Sequence, residues 1–177
     1  MTELSTFQYE LLYNTFSFGI ATFAAASIFF WLGRAQVSSA YKTALSLTGL
    51  VTFIAFYHYW RIFESFGDAY TLTDGMVEAT GASFNDAYRY VDWLLTVPLL
   101  LIELILVMKL TKSETVSKSF NLGLAAAIMV ILGYPGEISM EAGTRWTYWV
   151  LAMIPFIYIV YQLYVGLGEA ISKQPDN

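Results

Sequence analysis

Apolar residues run through five stretches of the chain, separated by shorter polar segments. Leu11 to Gly33 carries no charge, and Thr43 to Trp60 carries none apart from the titratable His58. Asp86 to Leu110 is apolar but holds Arg89, Asp92 and Glu103, while Ser119 to Gly136 and Trp146 to Gly168 are uncharged. Each stretch approaches the roughly 20 apolar residues that a bilayer-crossing helix needs. The pattern predicts an all-α integral membrane protein, a single membrane domain over residues 1–177, with spans over 8–33, 42–64, 86–110, 117–135 and 144–170. The first stretch does not read as a signal peptide, because it lacks a basic leader and four more spans follow. Between spans two and three, Tyr70-Thr71-Leu72-Thr73 and Met76-Val77-Glu78 flank Asp74-Gly75. That pattern reads either as a β-hairpin with a type I′ turn or as a solvated loop.

Composition narrows the class further. The 177 residues are 57% hydrophobic and 13% charged, about half the charge of an ordinary soluble domain. Such a chain is neither a soluble domain nor a disordered one. A net charge of −5 leaves no basic footprint for nucleic acid. Without cysteine there is no disulfide scaffold, thiolate metal site or cysteine nucleophile. The sequence holds no metal-ligand cluster, nucleophile–base set or phosphate loop, so neither a metal nor a soluble-type enzyme is expected.

Loop charge alternates. The N-terminal tail has Glu3 and Glu10, the first loop Arg34 and Lys42, and the long second loop is mostly acidic. The third loop carries Lys109, Lys112 and Lys118, and the fourth Glu137, Glu141 and Arg145. The positive-inside rule then predicts an outside N-terminus and a cytoplasmic C-terminal end in an inner or plasma membrane.

The third span carries the candidate chemistry, because ionisable groups inside a membrane are costly and usually functional. Asp92 and Glu103, eleven residues apart, fall on one helix face with a rise of about 16 Å between them. Thr96 and Leu100 lie on the same stripe, and Arg89 sits one turn before Asp92. The carboxylates are too far apart to share a proton directly. The one beside the cation should stay charged and the one in apolar surroundings should hold its proton, which supplies an acceptor and a donor separated along the membrane normal. His58, in Tyr57-His58-Tyr59-Trp60, should reach a depth similar to that of Asp92 and couple to it electrostatically. Pro98 and Pro155 mark kinks beside a cavity, and the deep aromatics Trp93 and Trp149 suggest an apolar ligand site.

The segment Tyr88-Arg89-Tyr90-Val91-Asp92-Trp93-Leu94-Leu95-Thr96-Val97-Pro98-Leu99-Leu100 resembles the third helix of microbial (type 1) rhodopsins, above all the proteorhodopsin and xanthorhodopsin group of light-driven proton pumps. Tyr57-His58-Tyr59-Trp60-Arg61-Ile62-Phe63 resembles that group's second helix, Gly133-Tyr134-Pro135-Gly136-Glu137-Ile138 the end of its fourth, and Ile154-Pro155-Phe156 its fifth. The long second loop favours the xanthorhodopsin-like branch. The resemblance implies helices one to five of a seven-helix bundle. It implies Asp92 as Schiff-base counterion and proton acceptor, His58 as its partner, Glu103 as cytoplasmic proton donor, and Arg89 and Thr96 on the proton path. Trp93, Thr96, Val97, Leu100, Met129, Gly133, Trp149, Ala152, Met153 and Phe156 match positions lining the pocket of all-trans retinal. Leucine at position 100 accompanies green absorption in the group.

Two departures qualify this. Trp149 stands where carotenoid-binding relatives have glycine, which counts against an antenna carotenoid. The family's sixth and seventh helices, with the Schiff-base lysine, find no counterpart here: Lys42, Lys109, Lys112, Lys118 and Lys173 fall at loops or helix ends. The expectation is therefore the N-terminal five-helix part of an outward proton pump. Its partners would be lipid, the missing helices or a separate C-terminal chain, and further copies in a ring-shaped pentamer or trimer. Left alone, its third helix should expose Asp92 and Arg89 to lipid at a cost of ~2.5–3.5 kcal/mol or more per charge. A photosensory rhodopsin and a light-inactive truncated fragment are the alternatives.

Overall fold

The computed structural model describes residues 4–172. Five long helices follow one another as α1 (Thr6–Gly33), α2 (Lys42–Ala69), α3 (Ala87–Val107), α4 (Lys112–Ile138) and α5 (Ala142–Ser172). A short 3-10 turn, Arg34–Gln36, leaves α1, and two strands, β1 (Tyr70–Thr73) and β2 (Met76–Ala79), lie between α2 and α3. Each helix packs on the next in sequence: α1 on α2, α2 on α3, α3 on α4 and α4 on α5. Lys173, expected at the basic end, lies outside the described residues.

Helix ends follow local chemistry. Ser5 and Gln8 form a capping box at the start of α1, and Thr111 and Glu114 form one at the start of α4. These boxes satisfy amide groups that have no partner inside the helix. The α4 box starts that helix at Lys112, ahead of the apolar stretch that predicted it, because a cap acts on residues a hydropathy pattern ignores. At the other end of the connection, Lys109 takes a left-handed φ of 54° and Met108 N donates to Ile105 O, so α3 stops at Val107. The helix α2 continues past its apolar stretch through Arg61 and Glu64 to Ala69.

Four of the helices, α1, α3, α4 and α5, are long and apolar enough to cross a membrane. The sequence pattern points to five spans; α2 falls outside the four because threonines, His58 and its tyrosines dilute its apolar character. The same helix buries nine residues, from Ala44 to Ala69, whereas α1 buries only Ser27. Two of those nine, His58 and Ser65, are polar. A close approach fixes the α1–α2 contact: the Trp31 ring lies 2.4 Å from where a Cβ on Gly49 would stand, and Ser27 Oγ donates to Gly49 O at 3.1 Å. The main apolar cluster joins α3, α4 and α5 through Ile105, Leu122, Ala125, Ala126 and Ile159.

The two strands form an antiparallel hairpin with Thr73 opposite Met76. Asp74 and Gly75 have φ of 52° and 78°, the two positive values that a type I′ turn requires. Of the two sequence readings of this loop, the hairpin is the one formed. Its tip is tied down, since Thr6 Oγ1 donates to Gly75 O at 2.8 Å. The hairpin and the α4–α5 turn lie at one end of the bundle. The α1–α2 and α3–α4 turns lie at the other, where the Lys109 ammonium sits 5.1 Å from the Tyr41 ring centroid.

Candidate functional site

Two polar centres lie along the contact between α2 and α3. At the hairpin end, Asp92 and His58 are both buried, with His58 Nδ1 3.4 Å from Asp92 Oδ1. The same Nδ1 is 3.0 Å from Ile54 O. A carbonyl only accepts, so Nδ1 carries the proton and presents its N–H to the carbonyl and the carboxylate edge together. Asp92 Oδ1 is buried and has no hydrogen-bond partner among the described residues. Thr96, also buried, turns its hydroxyl back to Asp92 O at 2.8 Å, which fixes its side chain without occupying the carboxylate.

The expectation that Asp92 would lie exposed on α3 is corrected here. At 7% exposure it is covered, because α2 brings His58 over it. Arg89 also differs from expectation. Its guanidinium binds Asp86 Oδ1 at 2.8 Å and Glu137 Oε1 at 3.2 Å rather than Asp92, and its side chain is 39% exposed. The cation is thus neutralised by two carboxylates at the bundle end, and its field on Asp92 is weaker than sequence spacing implies. Arg89 and Asp92 nonetheless share the wall of one cavity of about 390 Å³, with Tyr59, Phe66, Tyr70 and Trp93.

Toward the basic end, Glu103 is half-buried and meets Thr48 of α2. Thr48 Oγ1 lies 2.6 Å from Glu103 Oε1 and 3.2 Å from Ala44 O. The hydroxyl has one proton and two acceptors. With Glu103 ionised, Thr48 donates to the carboxylate; with Glu103 protonated, the acid donates to Thr48 and the threonine proton goes to Ala44 O. Both protonation states are therefore accommodated without moving a heavy atom. Glu103 Oε2 is buried without a hydrogen-bond partner among the described residues. Thr48 was not singled out in the sequence, where only Thr96 lay on the carboxylate stripe; its signal was a hydroxyl on the polar face of α2 at the depth of Glu103. Asp86 and Glu137 were likewise read only as loop charges.

The remaining predicted residues lie on α3, α4 and α5. Trp93, Leu100, Trp149 and Phe156 are exposed apolar side chains on α3 and α5. Val97 and Met129 pack against the α3–α4–α5 core, and Met153 is half-buried. Gly133, Trp149 and Ala152 line a second cavity, of about 550 Å³, with Tyr90 and Trp146. Trp146 and Trp149 meet edge to face at 5.5 Å.

The fold and these centres define an integral membrane helix bundle that carries carboxyl groups between its second and third helices. Residues 11–177 match the family described as Bacteriorhodopsin-like protein. The chain belongs to that family, as a microbial rhodopsin of the proteorhodopsin and xanthorhodopsin type. The green-light absorbing proteorhodopsin of Gamma-proteobacterium EBAC31A08 is 34% identical over 160 residues, which cover 89% of this chain and 59% of that protein. The blue-light absorbing proteorhodopsin of Gamma-proteobacterium Hot 75m4 is 33% identical over 149 residues, 82% of this chain and 53% of that one. The chain thus spans somewhat over half the length of these relatives. Among solved structures, xanthorhodopsin, described as a light-driven ion pump with dual chromophore, superposes with a TM-score of 0.94 at 48% identity, covering 99% of this chain and 72% of that one. A thermophilic rhodopsin superposes with 0.94 at 50% identity, covering 100% and 70%.

Family membership implies a retinal chromophore, and the side chains present fit one wall of its site. A polyene needs flat apolar surfaces and a place without side-chain bulk. Trp93, Leu100, Trp149 and Phe156 present the surfaces. Gly133 carries no side chain into the cavity of about 550 Å³ that it lines with Trp149 and Ala152. The described lysines, Lys42, Lys109, Lys112 and Lys118, belong to the basic end of the bundle, away from Asp92.

Proposed function

We propose that the chain provides the proton-carrying part of a retinal-based, light-driven outward proton pump, with Asp92 as counterion and acceptor and Glu103 as cytoplasmic donor. The observation that carries this reading is the pair of carboxyl groups on α3, Asp92 buried and Glu103 half-buried, each met by a group of α2: Asp92 by His58 and Glu103 by Thr48. Bound retinal supplies light absorption and a light-driven change of shape. Trp93, Val97 and Leu100 of α3, Met129 and Gly133 of α4, and Trp149, Ala152, Met153 and Phe156 of α5 hold it. Asp92 takes up a proton, and His58 steadies the carboxyl in both states through its shared N–H. Arg89, held at the cavity wall, governs the exit side. Glu103 returns a proton from the basic end, and Thr48 reorients to suit its protonation. The anchoring amine comes from helices beyond this sequence, in keeping with the greater length of the relatives. The basic end faces the cytoplasm, and the bundle assembles as a pentamer or trimer.

The test is a visible spectrum of membranes carrying the chain with all-trans retinal, before and after hydroxylamine in the light, together with the external pH under illumination. A visible band bleached by hydroxylamine, with acidification outside that D92N abolishes, is the expected result for the assembled pump. A band without acidification would favour the photosensory reading. No band in membranes that also carry the relatives' last two helices would overturn the retinal assignment.

A further inference from the structure

Arg89 connects two cavities at the hairpin end. It lines the one that holds Asp92, and its guanidinium meets Glu137, which lines the other with Tyr90, Arg145 and Trp146. Glu137 stands in the last turn of α4, which ends at Ile138. The carbonyl end of a helix is its negative pole, so a carboxylate there is unfavourably placed and calls for a cation. Arg145 of α5 borders the same cavity, yet the ion pair of Glu137 is with Arg89, at 3.2 Å. Both side chains of that pair are 39% exposed, and a pair so open adds little to stability. Its consequence is where it leaves the guanidinium.

Two polar atoms are left over. Arg89 Nε, a donor, and Asp92 Oδ1, an acceptor, are both buried without a hydrogen-bond partner among the described residues, and the two side chains wall the same cavity. They are complementary, since a guanidinium N–H turned to a carboxylate satisfies both. The attachments of Arg89 run the other way. Asp86 holds it toward the start of α3 and Glu137 holds it toward α4, whereas Asp92 is met from α2 by His58. Asp86 lies on the same helical run, three residues before Arg89. The tie that fixes the sideways position is therefore the one to α4.

We propose that Glu137 is a positioning residue for the Asp92 centre: it draws the Arg89 guanidinium toward α4, off Asp92, and so leaves Asp92 able to accept a proton. A carboxylate that gains a guanidinium within about 4–6 Å holds its charge roughly 1–3 pH units further into acid. The other charged and titratable groups around the pair are Asp86 and Tyr90 of α3, Arg145 of α5, and His58 of α2 beside Asp92. The role given to Glu137 rests on the reading of Asp92 as proton acceptor, while the contact itself can be followed without retinal.

The experiment is an infrared titration of the full chain in membranes without retinal, following the carboxylic C=O stretch that Asp92→Asn removes. Glu137→Ala should move the midpoint of that band roughly 1–3 pH units toward acid. Glu137→Gln, which keeps the shape and a neutral acceptor, should move it the same way by less. In the Arg89→Gln background Glu137→Ala should leave the midpoint in place, because the cation through which Glu137 acts is gone. An equal shift with and without Arg89 would mean that Glu137 acts by its own charge. No shift, or one toward alkali, would mean that Arg89 does not turn to Asp92. Each of these results would overturn the proposal. The visible band and the external acidification, which test the pump reading, play no part in this titration, so the two can fail separately.

Discussion

Asp92 is surrounded by groups that each do part of a task. His58 offers a hydrogen from Nδ1, Thr96 is turned back to the main chain, and Arg89 is held off by Asp86 and Glu137. At this scale the Thr48–Glu103 contact makes the sharpest prediction. Thr48→Val keeps the shape and removes the reorienting hydroxyl. In the assembled pump it should slow the recovery step that depends on Glu103 and leave the visible maximum in place. Glu103→Gln should slow that step about 10²-fold or more, the usual contribution of a positioned proton donor, as followed by flash photolysis. If Thr48→Val recovered at the wild-type rate, the hydroxyl would have no part in reprotonation. The carboxylates themselves were legible in the sequence, because a charge in an apolar run stands out. Thr48 was not, because a threonine in a membrane helix looks unremarkable until the neighbouring helix is in place. The partners of Arg89 were hidden for the same reason, since Glu137 lies 48 residues away on α4.

Among the elements, the hairpin and the α1–α2 pair carry separate predictions. Gly75 has a φ of 78°, a conformation that costs a side-chain-bearing residue about 1 kcal/mol or more. Gly75→Val should speed hydrogen exchange of the β1–β2 amides. Thr6→Val, which releases the tip from α1, should do so to a smaller degree. Neither change should alter exchange in α3. Gly49→Ala places a methyl against the Trp31 ring and should destabilise the bundle by roughly 1–3 kcal/mol, measured as loss of helical signal on heating in detergent. Helix positions could be read from apolar runs, and the hairpin from Asp74-Gly75. Helix ends could be read less well: the Thr111–Glu114 box and the reversal at Lys109 act through hydrogen bonds and dihedral angles, to which hydropathy is blind.

For the whole molecule, charge separates the two ends. Arg34, Lys42, Lys109 and Lys112 gather at one, and the hairpin, Glu137 and Glu141 at the other. Because the chain has no cysteine, single cysteines report topology cleanly. Gln36→Cys at the basic end should be protected from an impermeant thiol reagent applied to intact cells, whereas Met76→Cys on the hairpin should be labelled. The reverse pattern would invert the proposed pumping direction.

Each helix from α2 to α5 packs on the helix made just before it. A ribosome releasing this chain into a membrane therefore never has to wait for a distant segment: α2 closes on α1, α3 closes the His58–Asp92 centre on α2, and each later helix extends a surface already in place. Contacts of such short loop length favour fast, stepwise assembly. The buried carboxylate of Asp92 is accordingly sheltered once three helices have emerged, before α4 and α5 have been translated.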